Sequence, residues 1–129
     1  MTTIFMAEDD ALMISIYDKV FKTSGFDFTM ALDGDKAITA LTAMEKKPDV
    51  VVLDAMMPNK DGFDVLKFMK ADATLKNIPV LFLTNLSAKE DLEKGLGLGA
   101  DACLVKSQHS PAEIVAKVKE LYNKYHPKV

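Results

Sequence analysis

Five short runs rich in apolar and β-branched residues punctuate the chain: Thr3–Ala7, Phe26–Leu32, Val50–Asp54, Val80–Thr84 and Ala102–Val105. Most lack the alternation of a strand with one wet face, so they read as strands covered on both sides. Phe26–Leu32 departs from this pattern by mixing in Asp27, Thr29 and Met30, which predicts an edge strand.

Longer stretches with helical spacing lie between these runs. Ala11–Thr23 carries Met13, Ile16, Tyr17 and Val20 on one stripe, and Asp33–Met44 carries Ala37, Ile38 and Leu41. Val65, Leu66, Phe68 and Met69 mark a third helix after the turn Asp61-Gly62. The fourth, Ala88–Leu96, has Ser87 and Glu90 at capping-box spacing. The fifth starts at Ser110, with Pro111 at its first position and Glu113 at its third, then Ile114, Val118 and Leu121 at core spacing. Strict β–α alternation predicts the α/β class: a doubly wound parallel sheet with helices on both faces. No linker or repeat interrupts it, so residues 1–129 read as a single domain. Gly95, Gly97 and Gly99 follow a helix and precede a strand, the reverse of a phosphate-binding loop. They mark a helix end and turn, and predict a weak, mobile fourth helix.

Composition narrows the function classes. A net charge of −3 creates no basic field, which leads us to expect no direct nucleic acid partner and no membrane surface. The one cysteine, Cys103, has no internal disulfide partner, and with two distant histidines it makes no metal-ligand pattern. The first apolar run is too short for a signal peptide or a spanning helix, so a cytoplasmic location is expected.

In open parallel α/β sheets, ligands bind beyond the carboxyl ends of the strands. Glu8 and Asp9 follow the first strand, Asp54 closes the third, Thr84 closes the fourth, and Lys106 follows the fifth. The second runs into Leu32-Asp33-Gly34, which reads as an ordinary turn and keeps that strand out of the site. Two unit charges about 4 Å apart repel by roughly 4 kcal/mol at an effective dielectric near 20. Three gathered carboxylates therefore call for a cation, and a hard oxygen set suits Mg²⁺, with the Met56 carbonyl as a further donor. Lys106 and Thr84 suit the oxygens of a phosphoryl group. Phosphoryl transfer depends on positioning and charge neutralisation, and an aspartate can be the covalent acceptor. Asp10 is expected to cap the first helix.

At these residues the sequence resembles the receiver domain of two-component response regulators. The matching segments are Glu8-Asp9-Asp10, Asp54 in Leu-Asp-Ala-Met-Met-Pro, Asp61-Gly62, Thr84 in Phe-Leu-Thr-Asn, and Lys106 in Leu-Val-Lys-Ser. The resemblance spans essentially the whole chain. It implies a flavodoxin-like sheet of order 2-1-3-4-5. It also implies Asp54 as acceptor of phosphate from a sensor histidine kinase or a histidine phosphotransfer protein. Mg²⁺ would be held by Glu8, Asp9, Asp54 and the Met56 carbonyl, while Thr84 and Lys106 would grip the phosphoryl group. The face of the fourth helix, fifth strand and fifth helix would then switch toward a downstream protein target. Catalysis in that picture is confined to the domain's own phosphorylation and dephosphorylation.

Two positions depart from the family's commonest form. Ser107 stands where a proline usually follows the lysine, and a cis bond before a non-proline residue costs about 2.5–4 kcal/mol. A trans Lys106–Ser107 bond is therefore expected. Cys103 stands where many receivers carry a Tyr or Phe that swings inward, so the readout must use other movements or be modest. Met56 and Asn85 border the site and either tune the phosphoryl lifetime or are plain loop residues. His109 and His126 read as solvated side chains. Among rivals, an aspartate-nucleophile phosphatase of the haloacid dehalogenase type needs a second acid where Met56 stands. A flavin phosphate would be repelled by the first acidic loop. A phosphorylation-independent protein-binding module with the same fold remains the alternative. The chain is read either as a stand-alone receiver or as part of a larger protein.

Overall fold

One five-stranded parallel sheet, in the order β2-β1-β3-β4-β5, organises the computed structural model, which describes residues 2–84 and 89–125. The elements run β1 (Thr3–Ala7), α1 (Ala11–Thr23), β2 (Asp27–Ala31), α2 (Gly34–Ala43), β3 (Val50–Asp54), α3 (Gly62–Ala71), β4 (Val80–Thr84), α4 (Lys89–Gly97), β5 (Ala102–Val105) and α5 (Pro111–Tyr125). A single 3₁₀ turn, Lys106–Gln108, follows β5. The expected fold class and strand order are both realised.

Every residue of β3 and β4 is buried, as continuous apolar runs require of central parallel strands. The pleat sends alternate side chains into two separate cores. Phe5, Ala7, Val51, Leu53 and Phe82 pack with α2 and α3 through Ala37, Leu41, Leu66 and Met69. Ile4, Met6, Val52, Leu81 and Leu83 pack on the opposite face with Ile14, Tyr17 and Phe21 of α1 and Ile114, Val118 and Leu121 of α5. β2 buries only Phe28 and Ala31 and is the edge strand, one residue shorter at each end than the apolar run suggested.

Caps match the sequence signals where the residues are described. Asp10 caps α1 by accepting from the Leu12 and Met13 N–H groups. Asp61 and Asp64 close a capping box on α3, and Ser110 with Glu113 does the same for α5. Ser87, the cap expected for α4, lies outside the described residues, as do Asn85 and His126. α4 is thinly anchored, with Gly95 its one buried residue. A Cβ on Gly95 would stand 2.9 Å from Cys103 Sγ and 3.2 Å from the Phe82 ring, so only glycine lets the helix lie this close to β4 and β5. Among the described residues, no helix is long and apolar enough to cross a membrane.

The segment after β2 corrects the expectation of an ordinary turn. Asp33 is buried, caps α2 through the Lys36 N–H at 2.7 Å, and accepts from Asn59 Nδ2 at 3.0 Å. A tertiary contact 26 positions away in sequence leaves no trace in the local pattern.

Candidate functional site

Strand register assembles the site. Ala7 lies opposite Leu53, so the next residues of β1 and β3, Glu8 and Asp54, emerge together at the carboxyl rim. Asp54 lies opposite Leu83, which sets Thr84 one step further on, and Thr84 pairs with Val105, immediately before Lys106. Four strand ends thus meet, while β2 contributes only the Ala31 carbonyl that accepts from the Glu8 N–H.

Glu8, Asp54 and Thr84 are buried, whereas Asp9 is exposed. Carboxylate oxygens of Glu8, Asp9 and Asp54 all lie within 4.8 Å of one another. The Lys106 ammonium hydrogen-bonds to Glu8 Oε1 and stands 3.6 Å from Asp54 Oδ2. The Met56 N–H lies 3.4 Å from Asp54 Oδ1, and the Asp9 N–H donates to Glu8 Oε2 at 3.1 Å.

The charges in this pocket are strongly interdependent. Burial, reinforced by the neighbouring Asp54, pushes Glu8 up to about 7 against the opposing pull of Lys106. Burial disfavours the Lys106 charge, but the Glu8 hydrogen bond and both carboxylate charges outweigh it and raise the ammonium above its ordinary value. Tyr17 lies within reach of these same charges, and its hydroxyl is raised chiefly by burial. The sequence placed Tyr17 only on a core stripe, because nothing local links α1 to the rim.

A cluster of three acids with one ammonium has donor chemistry that fits a divalent cation. Burial first, and the neighbouring Asp54 second, keep Glu8 near neutrality in this cluster. The approach of α3 tightens the same corner: a Cβ on Gly62 would fall 2.2 Å from the Asp54 carbonyl oxygen. The Lys106–Ser107 bond is trans, as expected, and opens the 3₁₀ turn. Cys103 is partly buried against the Phe82 core, with burial pushing its thiol up to about 11. His109 lies outside the acidic cluster and is only partly exposed, with Nδ1 3.7 Å from Glu113 Oε2.

Residues 4–119 match the family model of the response regulator receiver domain. The chain is 35% identical over 124 residues to the phosphate regulon transcriptional regulatory protein PhoB of Klebsiella pneumoniae, covering 96% of this chain and 53% of PhoB. It is 35% identical over 116 residues to the DNA-binding response regulator MtrA of Mycobacterium tuberculosis, covering 90% of this chain and 48% of MtrA. The chain therefore spans about half the length of these curated relatives. Its fold superposes on the receiver domain of the Francisella response regulator 1452 with a TM-score of 0.86 at 31% identity, covering 96% of this chain and 98% of that one.

These relatives overturn the expectation of no direct nucleic acid partner. MtrA is a DNA-binding protein by name and PhoB a transcriptional regulator. The expectation rested on the −3 charge of these 129 residues, and such a sum reports only on the surface it covers.

Proposed function

Because the chain belongs to the response regulator receiver domain family, we propose that it accepts a phosphoryl group on Asp54 in a two-component His–Asp relay. The observation that carries this reading is the convergence of buried Asp54 and Glu8, exposed Asp9 and the Lys106 ammonium at one strand rim.

In the proposed step, an Asp54 carboxylate oxygen attacks the phosphorus of a phosphohistidine. The P–N bond breaks as the P–O bond of an aspartyl phosphate forms, and the imidazole keeps the electron pair and takes up a proton. Glu8, Asp9, Asp54 and the Met56 carbonyl would hold Mg²⁺. When bound, that ion neutralises the charge on the transferring oxygens. Lys106, freed from part of its bond to Glu8, turns its ammonium to a phosphoryl oxygen, and the Thr84 hydroxyl donates to another. The donor would be a sensor histidine kinase or histidine phosphotransfer protein. The signal would leave through α4, β5 and α5, where α4 buries only Gly95 of its own residues.

Incubation with acetyl phosphate and Mg²⁺, followed by intact mass, tests the reading. We expect a gain of one phosphoryl group that Asp54→Asn and EDTA each abolish. No gain with acetyl phosphate or with a phosphorylated histidine donor would favour a protein-binding module that keeps the fold without the chemistry.

A further inference from the structure

The loop from Ala55 to Asp61 carries Met56 beside the acidic cluster, and backbone contacts hold it at its neck and at its tip. At its neck, the Ala55 N–H donates to the Leu83 carbonyl at 2.7 Å and the Gly62 N–H to the Ala55 carbonyl at 3.1 Å. At its tip, the loop meets the start of α2. A Cβ built on Gly34 would fall 1.9 Å from the Lys60 carbonyl oxygen, so the two backbones touch where only glycine fits. Beside that contact, Asn59 Nδ2 donates to Asp33 Oδ2 at 3.0 Å, while Asp33 Oδ1 is occupied by the Lys36 N–H.

Asn59 is also the one described non-glycine residue with positive φ, at +67°. Asparagine tolerates that region better than most residues, yet still at a cost. A bent tip maintained at a cost, tied by a buried carboxylate, is a fixed geometry rather than a slack connection. Between neck and tip, the Met56 N–H lies 3.4 Å from Asp54 Oδ1 and Met57 packs on the core, so the tip contact bears on the same short span that carries Met56.

We propose that Asp33 and Asn59 form a positioning lock: the turn between β2 and α2, which supplies no side chain to the site, sets through this bond where the Met56 backbone stands relative to Asp54. Asp33 and Asn59 are positioning residues that contact neither cation nor phosphoryl group. This inference rests on the proposed Mg²⁺ site, and the test separates the two.

Asn59→Gly removes the side-chain amide while keeping a residue that adopts positive φ freely. Asp33→Asn keeps the cap acceptor and presents an amide N–H that can donate to the Oδ1 of a flipped Asn59. Mg²⁺ binding is measured by calorimetry on the full chain, alongside amide exchange at Met56 and thermal unfolding in EDTA. We expect Asn59→Gly to weaken Mg²⁺ binding by about three- to tenfold and to speed exchange at Met56, with the EDTA unfolding midpoint within a few degrees of wild type. Asp33→Asn, with Asn59 intact, should keep most of the wild-type affinity. Wild-type affinity in Asn59→Gly, or a loss matched by a general fall in stability, overturns the lock alone. A wild-type chain that binds no Mg²⁺ overturns the site reading and the lock with it.

Discussion

Lys106 is hydrogen-bonded to Glu8 across 98 positions of sequence, and it stands further from Asp54, at 3.6 Å. The ammonium is thus shared unequally between two buried carboxylates, and the third acid, Asp9, faces solvent. This arrangement sets the lysine closer to Glu8 than to the proposed acceptor.

Glu8 makes the metal-free fold sensitive to pH. Its folded value is about 7 against 4.5 for an unperturbed side chain, so the folded state holds the proton more tightly. The stability this contributes is complete below pH 4.5 and is lost as pH rises through about 7. In EDTA, the unfolding midpoint should fall between about pH 5 and about pH 8, and Glu8→Gln should flatten that fall. Mg²⁺ competes with the same proton, so stabilisation by the ion should grow across this window and level off above it. An equal Mg²⁺ effect at both ends would exclude Glu8 as a ligand.

Truncating Lys106 should be costly, and most costly at alkaline pH. Lys106→Ala leaves Glu8 and Asp54 buried without their cation, and breaking a buried pair costs on the order of 3 kcal/mol. At about pH 5.5 Glu8 carries a proton and the loss should shrink substantially. Urea unfolding of both proteins in EDTA at the two pH values checks this. Losses of equal size would mean that packing of the lysine stem, rather than its charge, carries the effect.

Cys103 offers a reporter for α4. Its thiol is pushed up to about 11, which leaves roughly one in a thousand ionised at pH 8. Its sulfur lies directly under Gly95. Maleimide labelling should therefore be slow in the folded protein, at least a hundredfold slower than in urea. If phosphorylation lifts α4, acetyl phosphate with Mg²⁺ should raise the rate several-fold in wild type and leave Asp54→Asn unchanged. An unchanged wild-type rate, with phosphorylation verified by mass, would move the output away from α4.

Much of this architecture is written in local patterns. Uninterrupted apolar runs announced buried parallel strands, because both faces of β3 and β4 are covered along Val50–Leu53 and Val80–Leu83 and only their carboxyl-terminal residues, Asp54 and Thr84, are polar. Mixed polarity marked β2 as the edge, since only half of it has a core to face. The convergence at the candidate site was legible too: Glu8, Asp54, Thr84 and Lys106 sit at the carboxyl ends of their strands, and a parallel sheet brings such ends to one rim.

Tertiary structure decided what depends on distance and on desolvation. Which carboxylate Lys106 chooses follows from strand register and turn geometry, and Glu8 near neutrality follows from burial that no single segment encodes. The glycines at 34, 62 and 95 look alike in sequence, yet each marks a different close approach: to Lys60, to Asp54 and to Cys103. The Asp33–Asn59 bond had no local signal either, for both residues satisfy turn chemistry and the partner arrives from another crossover. Sequence alone determined the order of the elements and the chemistry brought to the rim, because periodicity and residue type are local properties. Only the folded chain set the partners, distances and proton affinities there, because electrostatic energy depends on separation and on the exclusion of water.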